Sequence, residues 1–137
     1  MADGAAAQRP PYPGERFGLP AVGAGALAGA GRRLGALTAD LIGSWLVAAL
    51  FVRSPVTGAW STLVFVIEYA GLIALTGQSA GMRLFGLRVA RCDGGALALG
   101  AVLARTALLC LVIPAVVWDR DGRCLHDRLT GAAVIRV

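Results

Sequence analysis

The chain has 137 residues and a mass of 14.0 kDa, room for one domain. Hydrophobic residues make up 57% and charged ones 15%, where soluble domains carry about 25% charged, and a soluble domain this small cannot hide so much apolar surface. The charge of +5 comes from arginines that border apolar segments and leave no polar face for a phosphate-binding groove, so the expected partner is a lipid bilayer and not nucleic acid.

Residues 1–31 are rich in Ala, Gly and Pro, with Pro10, Pro11, Pro13 and Pro20 interrupting any helix, and read as a disordered cytoplasmic tail. A signal peptide fits less well, because large apolar groups and a cleavage pattern are missing before Arg32 and Arg33. The remainder, 32–137, reads as one transmembrane domain. Residues 34–52 contain a single charge, Asp40, and span about 28 Å as a helix. Residues 60–76 form a second such segment with Glu68 as its only charge, and Ser54, Pro55, Thr57 and Gly58 supply the turn. The expectation is an antiparallel pair of spanning helices, with Trp45, Trp60 and Tyr69 as packing or interfacial aromatics.

The chain turns polar over 77–95. Residues 79–85 fit a short amphipathic helix on the membrane surface, and 87–91 alternate apolar and basic residues as a strand does. The end of the chain, 132–137, is also β-prone, and pairing the two would satisfy both edges in a short cytoplasmic β-pair. A third apolar region, 96–118, is ambiguous. As one span it buries Arg105 at a cost of roughly 2.5–3.5 kcal/mol, and it exports Arg120, Arg123, Arg128 and Arg136. If Arg105 marks the interface, 106–117 is too short to cross, and Pro114 gives it a break. The favoured fold is an all-α membrane protein with two spanning helices, a third broken or re-entrant helix, and both termini in the cytoplasm of a bacterial cell. A three-span arrangement with an external C-terminus is the alternative.

Ionisable groups in lipid need a reason to be there. Asp40 and Glu68 fall about 10–14 Å from the cytoplasmic ends of their helices, at similar depth. Two readings stand: a proton or cation site, or hydrogen-bonding glue between helices through Ser44, Thr38, Tyr69 or a backbone carbonyl. Gly35, Ala39 and Gly43 repeat every fourth residue and offer a smooth packing face.

Gly77, Gly81 and Gly86 form neither a dinucleotide nor a phosphate loop and read as turn and close-approach positions. Asp119 to Gly122 lacks the further acids of a calcium loop. His126 is the single histidine, and Cys92, Cys110 and Cys124 have no metal-type spacing. No cofactor, metal or catalytic role is expected, and Cys110 reads as a small hydrophobe.

Taken together, the chain resembles the RDD family of small membrane proteins, named for one arginine and two aspartates. Arg33-Leu34-Gly35-Ala36 followed by Asp40 is similar to the family's opening. Gly77, Gln78, Ser79, Gly81, Gly86 and Val89 fit its central block, with Arg83 where lysine is usual. Leu125-His126-Asp127-Arg128-Leu129-Thr130-Gly131 resembles its closing signature, with Ala132 in place of threonine. The resemblance implies a membrane location and suggests that Arg33, Asp40 and Asp127 belong together. The specific expectation is that Asp127 pairs with Arg33, or a neighbouring basic group, and locks the C-terminal segment under the helices. Transport of an ion or small solute, proton-coupled and as a homo-oligomer, is one functional expectation. A non-catalytic accessory or assembly subunit of a larger membrane complex is the other.

Overall fold

A computed structural model describes residues 10–51, 57–93, 95–111 and 124–137. A short 3-10 turn at Glu15–Phe17 precedes α1 (Ala30–Phe51), α2 (Thr57–Thr76), α3 (Ala80–Leu84), β1 (Leu87–Arg91), α4 (Leu99–Cys110), α5 (Leu125–Leu129) and β2 (Ala132–Arg136). The turn residues Ser54 and Pro55, residues 112–118 of the third apolar region with Pro114 among them, and the segment 119–122 lie outside the described residues.

Two helices are long and apolar enough to cross a membrane: α1, with 22 residues, and the 19 residues from Gly58 to Thr76 of α2. α1 starts a turn earlier than the hydropathy pattern suggests, which brings Arg33 inside the helix. Its buried residues, Arg33, Ala36, Asp40, Ser44 and Ala48, follow the helical repeat along one face, while Leu41, Ile42, Trp45, Leu46 and Leu50 are exposed on the others. α2 likewise buries Phe65, Tyr69, Ala70 and Ile73 and exposes Leu63, Ile67 and Leu75. Only 22% of each apolar stretch is buried, which is the reverse of a soluble core helix and suits lipid.

The expected β-pair is present. β1 and β2 run antiparallel with Val89 opposite Val134, so Leu87, Val89, Ala132 and Val134 face inward while Arg88 faces out; Arg91, opposite Ala132, is exposed at the end of the strand. They complete a core with Ala36, Tyr69, Ile73, Met82 and Val102, set where the base of the helix pair meets the sheet.

The segment before α1 corrects the tail reading of residues 1–31. Ala28 N–H donates to Val134 O at 2.8 Å, Arg136 N–H to Ala26 O at 2.9 Å and Gly25 N–H to Arg136 O at 2.8 Å, and Leu27 bridges Ile135. Ala26, Leu27 and Ala28 are buried. Backbone pairing is indifferent to the small side chains that made this stretch look unstructured, and the extra rung covers an edge of β2. The part of the expectation covering 1–9 lies outside the described residues.

Candidate functional site

Asp127 is the centre of the buried polar network. α5 begins at Leu125, and the tight return through Gly131 (φ +65°) into β2 carries Asp127 beneath the first turn of α1. There its carboxylate has no solvent exposure. Arg33 Nη1 donates to Asp127 Oδ2 at 3.0 Å, the pairing expected from the closing signature. Arg33 is held in place along its length: its Nε donates to Ala28 O at 3.0 Å and its Nη2 to Val134 O at 3.3 Å. One guanidinium therefore ties together α1, the strand-like segment before it, β2 and α5.

The second cation on Asp127 is Arg105 of α4. Its Nη2 lies 3.2 Å from Asp127 Oδ1, and it is 2% exposed. Arg105 is therefore enclosed by the protein, with Asp127 as its counter-ion. A guanidinium on an apolar helix can leave water when a carboxylate receives it, and Asp127 does so. Its Cζ also lies 6.0 Å from the ring centroid of Tyr69, which stacks on Phe65 at 5.1 Å. His126 Nε2 is 3.3 Å from the same Oδ1.

Asp40 is anchored by a different element. Its carboxylate accepts from the Ser79 hydroxyl and from Gly81 N–H, while Ser79 Oγ accepts from Met82 N–H at 3.2 Å and so caps α3. Asp40 thus fixes the short helix across α1. Gly81 sits where a Cβ would press on the backbone of Ala36 and the carboxyl of Asp40, so only glycine permits the approach. Gln78 braces the same block, its amide donating to Leu87 O at 2.8 Å. Gly77 and Gly86 take positive φ at the turns that flank α3. Gly35 lies under the ring of Phe85, whereas nothing approaches the position of a Cβ at Gly43, so the small-residue face is used at one end.

Asp40 and Glu68 are not joined directly. Glu68 is half-buried and accepts from the Ser44 hydroxyl at 3.2 Å; the same hydroxyl donates to Asp40 O at 2.8 Å. Ser44, one turn above Asp40, is the residue that brings the second acid against α1.

Cys124, His126 and Asp127 place a sulfur, an imidazole nitrogen and a carboxylate oxygen within 4.8 Å of one another. The set suits neither a metal nor a catalytic thiol. Two guanidinium groups already face Asp127, so a dication there would meet like charge. Burial pushes the Cys124 thiol up and Asp127 adds to it, against opposition from Arg33 and Arg105, whereas a nucleophilic cysteine needs a lowered value. The folded state therefore favours the neutral thiol, and this preference turns into a loss of stability as pH rises past the ordinary thiol range. Pulse labelling with N-ethylmaleimide at pH 8, read by mass spectrometry, should modify Cys124 far more slowly in the native micelle than in SDS. Equal rates would show the thiol to be accessible.

A cavity of about 40 Å³ lies at the junction, lined by Arg33, Asp40, Tyr69, Arg105, His126 and Asp127 among others. The three motif blocks thus converge on one buried charged chamber, under two helices whose outer surfaces are apolar. That arrangement defines a small integral membrane protein with its polar core at one end of its helices. The RDD family model matches residues 27–131, most of the chain, and the protein belongs to this family. No curated protein and no solved structure matches the chain.

Proposed function

We propose that the protein moves a proton or small cation across a bacterial cell membrane, as a homo-oligomer. The observation that carries this reading is the buried face of α1. Arg33, Asp40 and Ser44 replace apolar residues there, and Glu68 of α2 meets them, so a polar track rises from the charged chamber into the apolar half of the molecule. Ionisable groups at membrane depth are costly and mark ion paths more often than ordinary positions do. Glu68, half-buried and held by one neutral hydroxyl, is the member of the track best placed to exchange a proton, because Asp40 already receives two donors. In this reading α4 is a re-entrant helix of 12 residues, and the end bearing α3, the β-pair and α5 faces the cytoplasm. The exposed Arg32, Arg83, Arg88, Arg91 and Arg128 at that end support the orientation. The chain has no catalytic role in this reading.

The test is flux into vesicles of phosphatidylethanolamine and phosphatidylglycerol containing the full chain and a pH-sensitive dye. An imposed sodium or potassium gradient should drive proton movement, and Glu68→Gln should reduce it by on the order of a hundredfold, the lower end of what one positioned proton-transfer group contributes. Flux no greater than in empty vesicles, together with stoichiometric co-purification of one defined protein, would replace this reading with that of an accessory subunit.

A further inference from the structure

Arg105 has more donors than the protein supplies acceptors for. It is 2% exposed, its Nη2 faces Asp127, and its Nε and Nη1 make no hydrogen bond. Buried guanidinium donors without acceptors are rare in folded proteins, and they are costly where water is scarce. The chamber that Arg105 lines has about 40 Å³ of free space, and one ordered water occupies only about 10–15 Å³. Of the acids on its wall, Asp40 is engaged by Ser79 and Gly81 and Asp127 Oδ2 by Arg33, while Asp127 Oδ1 lies 3.2 Å from Arg105 Nη2 and 3.3 Å from His126 Nε2 without a hydrogen bond. On the Arg105 side, two guanidinium groups share the single carboxylate of Asp127. The space and the two unmet guanidinium donors favour an occupant that accepts hydrogen bonds at Arg105.

We propose that this chamber binds a small inorganic anion of halide size against Arg105. The anion accepts from the two unpartnered nitrogens. Its role is to seat α4 beneath α1 and α2. This goes beyond the ion-moving reading and does not depend on it, since it requires no titration of Asp40 or Glu68.

The experiment is thermal unfolding of the full chain in a non-ionic detergent, with chloride exchanged for gluconate at constant ionic strength. Binding to the folded state alone should raise Tm saturably with chloride, by on the order of a few degrees, and bromide should substitute for it. Arg105→Gln should abolish the chloride increment. Glu68→Gln should retain it, which separates this proposal from the flux reading. Because Arg105→Gln removes a buried charge and can fail to fold, wild-type crystals grown in bromide supply the second measurement, with an anomalous peak expected within hydrogen-bond distance of Arg105 Nη1. Identical Tm in chloride and gluconate, a chloride increment that persists in Arg105→Gln, or an occupied chamber without an anomalous peak would each overturn the proposal in favour of ordered water.

Discussion

Asp127→Asn should leave little folded protein. Asparagine keeps the shape and one acceptor oxygen, so the substitution isolates the charge. The carboxylate is fully buried between Arg33 Nη1 at 3.0 Å and Arg105 Nη2 at 3.2 Å. Without it two guanidinium groups remain in a low-dielectric site facing a neutral amide. Removing one partner from a buried ion pair costs about 3–5 kcal/mol, a large share of the roughly 5–15 kcal/mol that holds an ordinary domain together. The measurement is the fraction of monodisperse protein on size exclusion in detergent, with trypsin resistance beside it, since the many arginines report opening directly. Arg33→Gln should cost less, because Asp127 keeps Arg105. The double variant Arg105→Gln with Asp127→Asn should be less damaged than the sum of the single ones, because it removes the stranded charge along with its partner. Wild-type yield and protease resistance in Asp127→Asn would show that the two arginines do not depend on that carboxylate.

The same network shows which parts of the site a sequence can disclose. Arg33 and Asp127 stand in recognisable blocks, and an arginine at the start of an apolar helix invites an acidic partner. Arg105 offers no comparable sign. Alone in an apolar run, it looks the same whether it sits at a membrane surface or inside a protein, and three later acids, Asp119, Asp121 and Asp127, compete as its partner. The signal that points inward is the energetic one: a charge among apolar residues must find a counter-ion or leave. The anchoring of Asp40 was hidden for a different reason. Ser79 and Gly81 lie 39 and 41 positions away, and the chemistry is a capping hydroxyl and a backbone N–H, neither of which marks a sequence. The two long helices and the β-pair were legible because hydropathy and alternation repeat over many residues. The rung formed by Gly25 to Ala28 was not, because backbone hydrogen bonds carry no side-chain signature.

Gly81→Ala should be the second most damaging change, and here helix propensity predicts the opposite sign. Gly81 lies within α3, where alanine is the better helix former by about 1 kcal/mol. Packing overrides that preference. A Cβ at this position would lie 2.9 Å from both the Ala36 carbonyl carbon and Asp40 Cγ, and neither is the free end of a flexible side chain. To relieve the overlap α3 must lift away from α1, which withdraws the Gly81 N–H and Ser79 hydroxyl from the Asp40 carboxylate. Overpacking alone costs about 1–3 kcal/mol, and weakening a hydrogen bond to a charged group about 1.5–3 kcal/mol. Gly86→Ala is the control: its φ of +61° makes alanine strained by about 1–2 kcal/mol, but no atom stands within 4 Å of the added methyl. Melting in detergent should therefore rank wild type above Gly86→Ala and Gly86→Ala above Gly81→Ala. If Gly81→Ala melts at or above wild type, α3 is not pressed onto α1, and the carboxylate of Asp40 must be satisfied by some other contact.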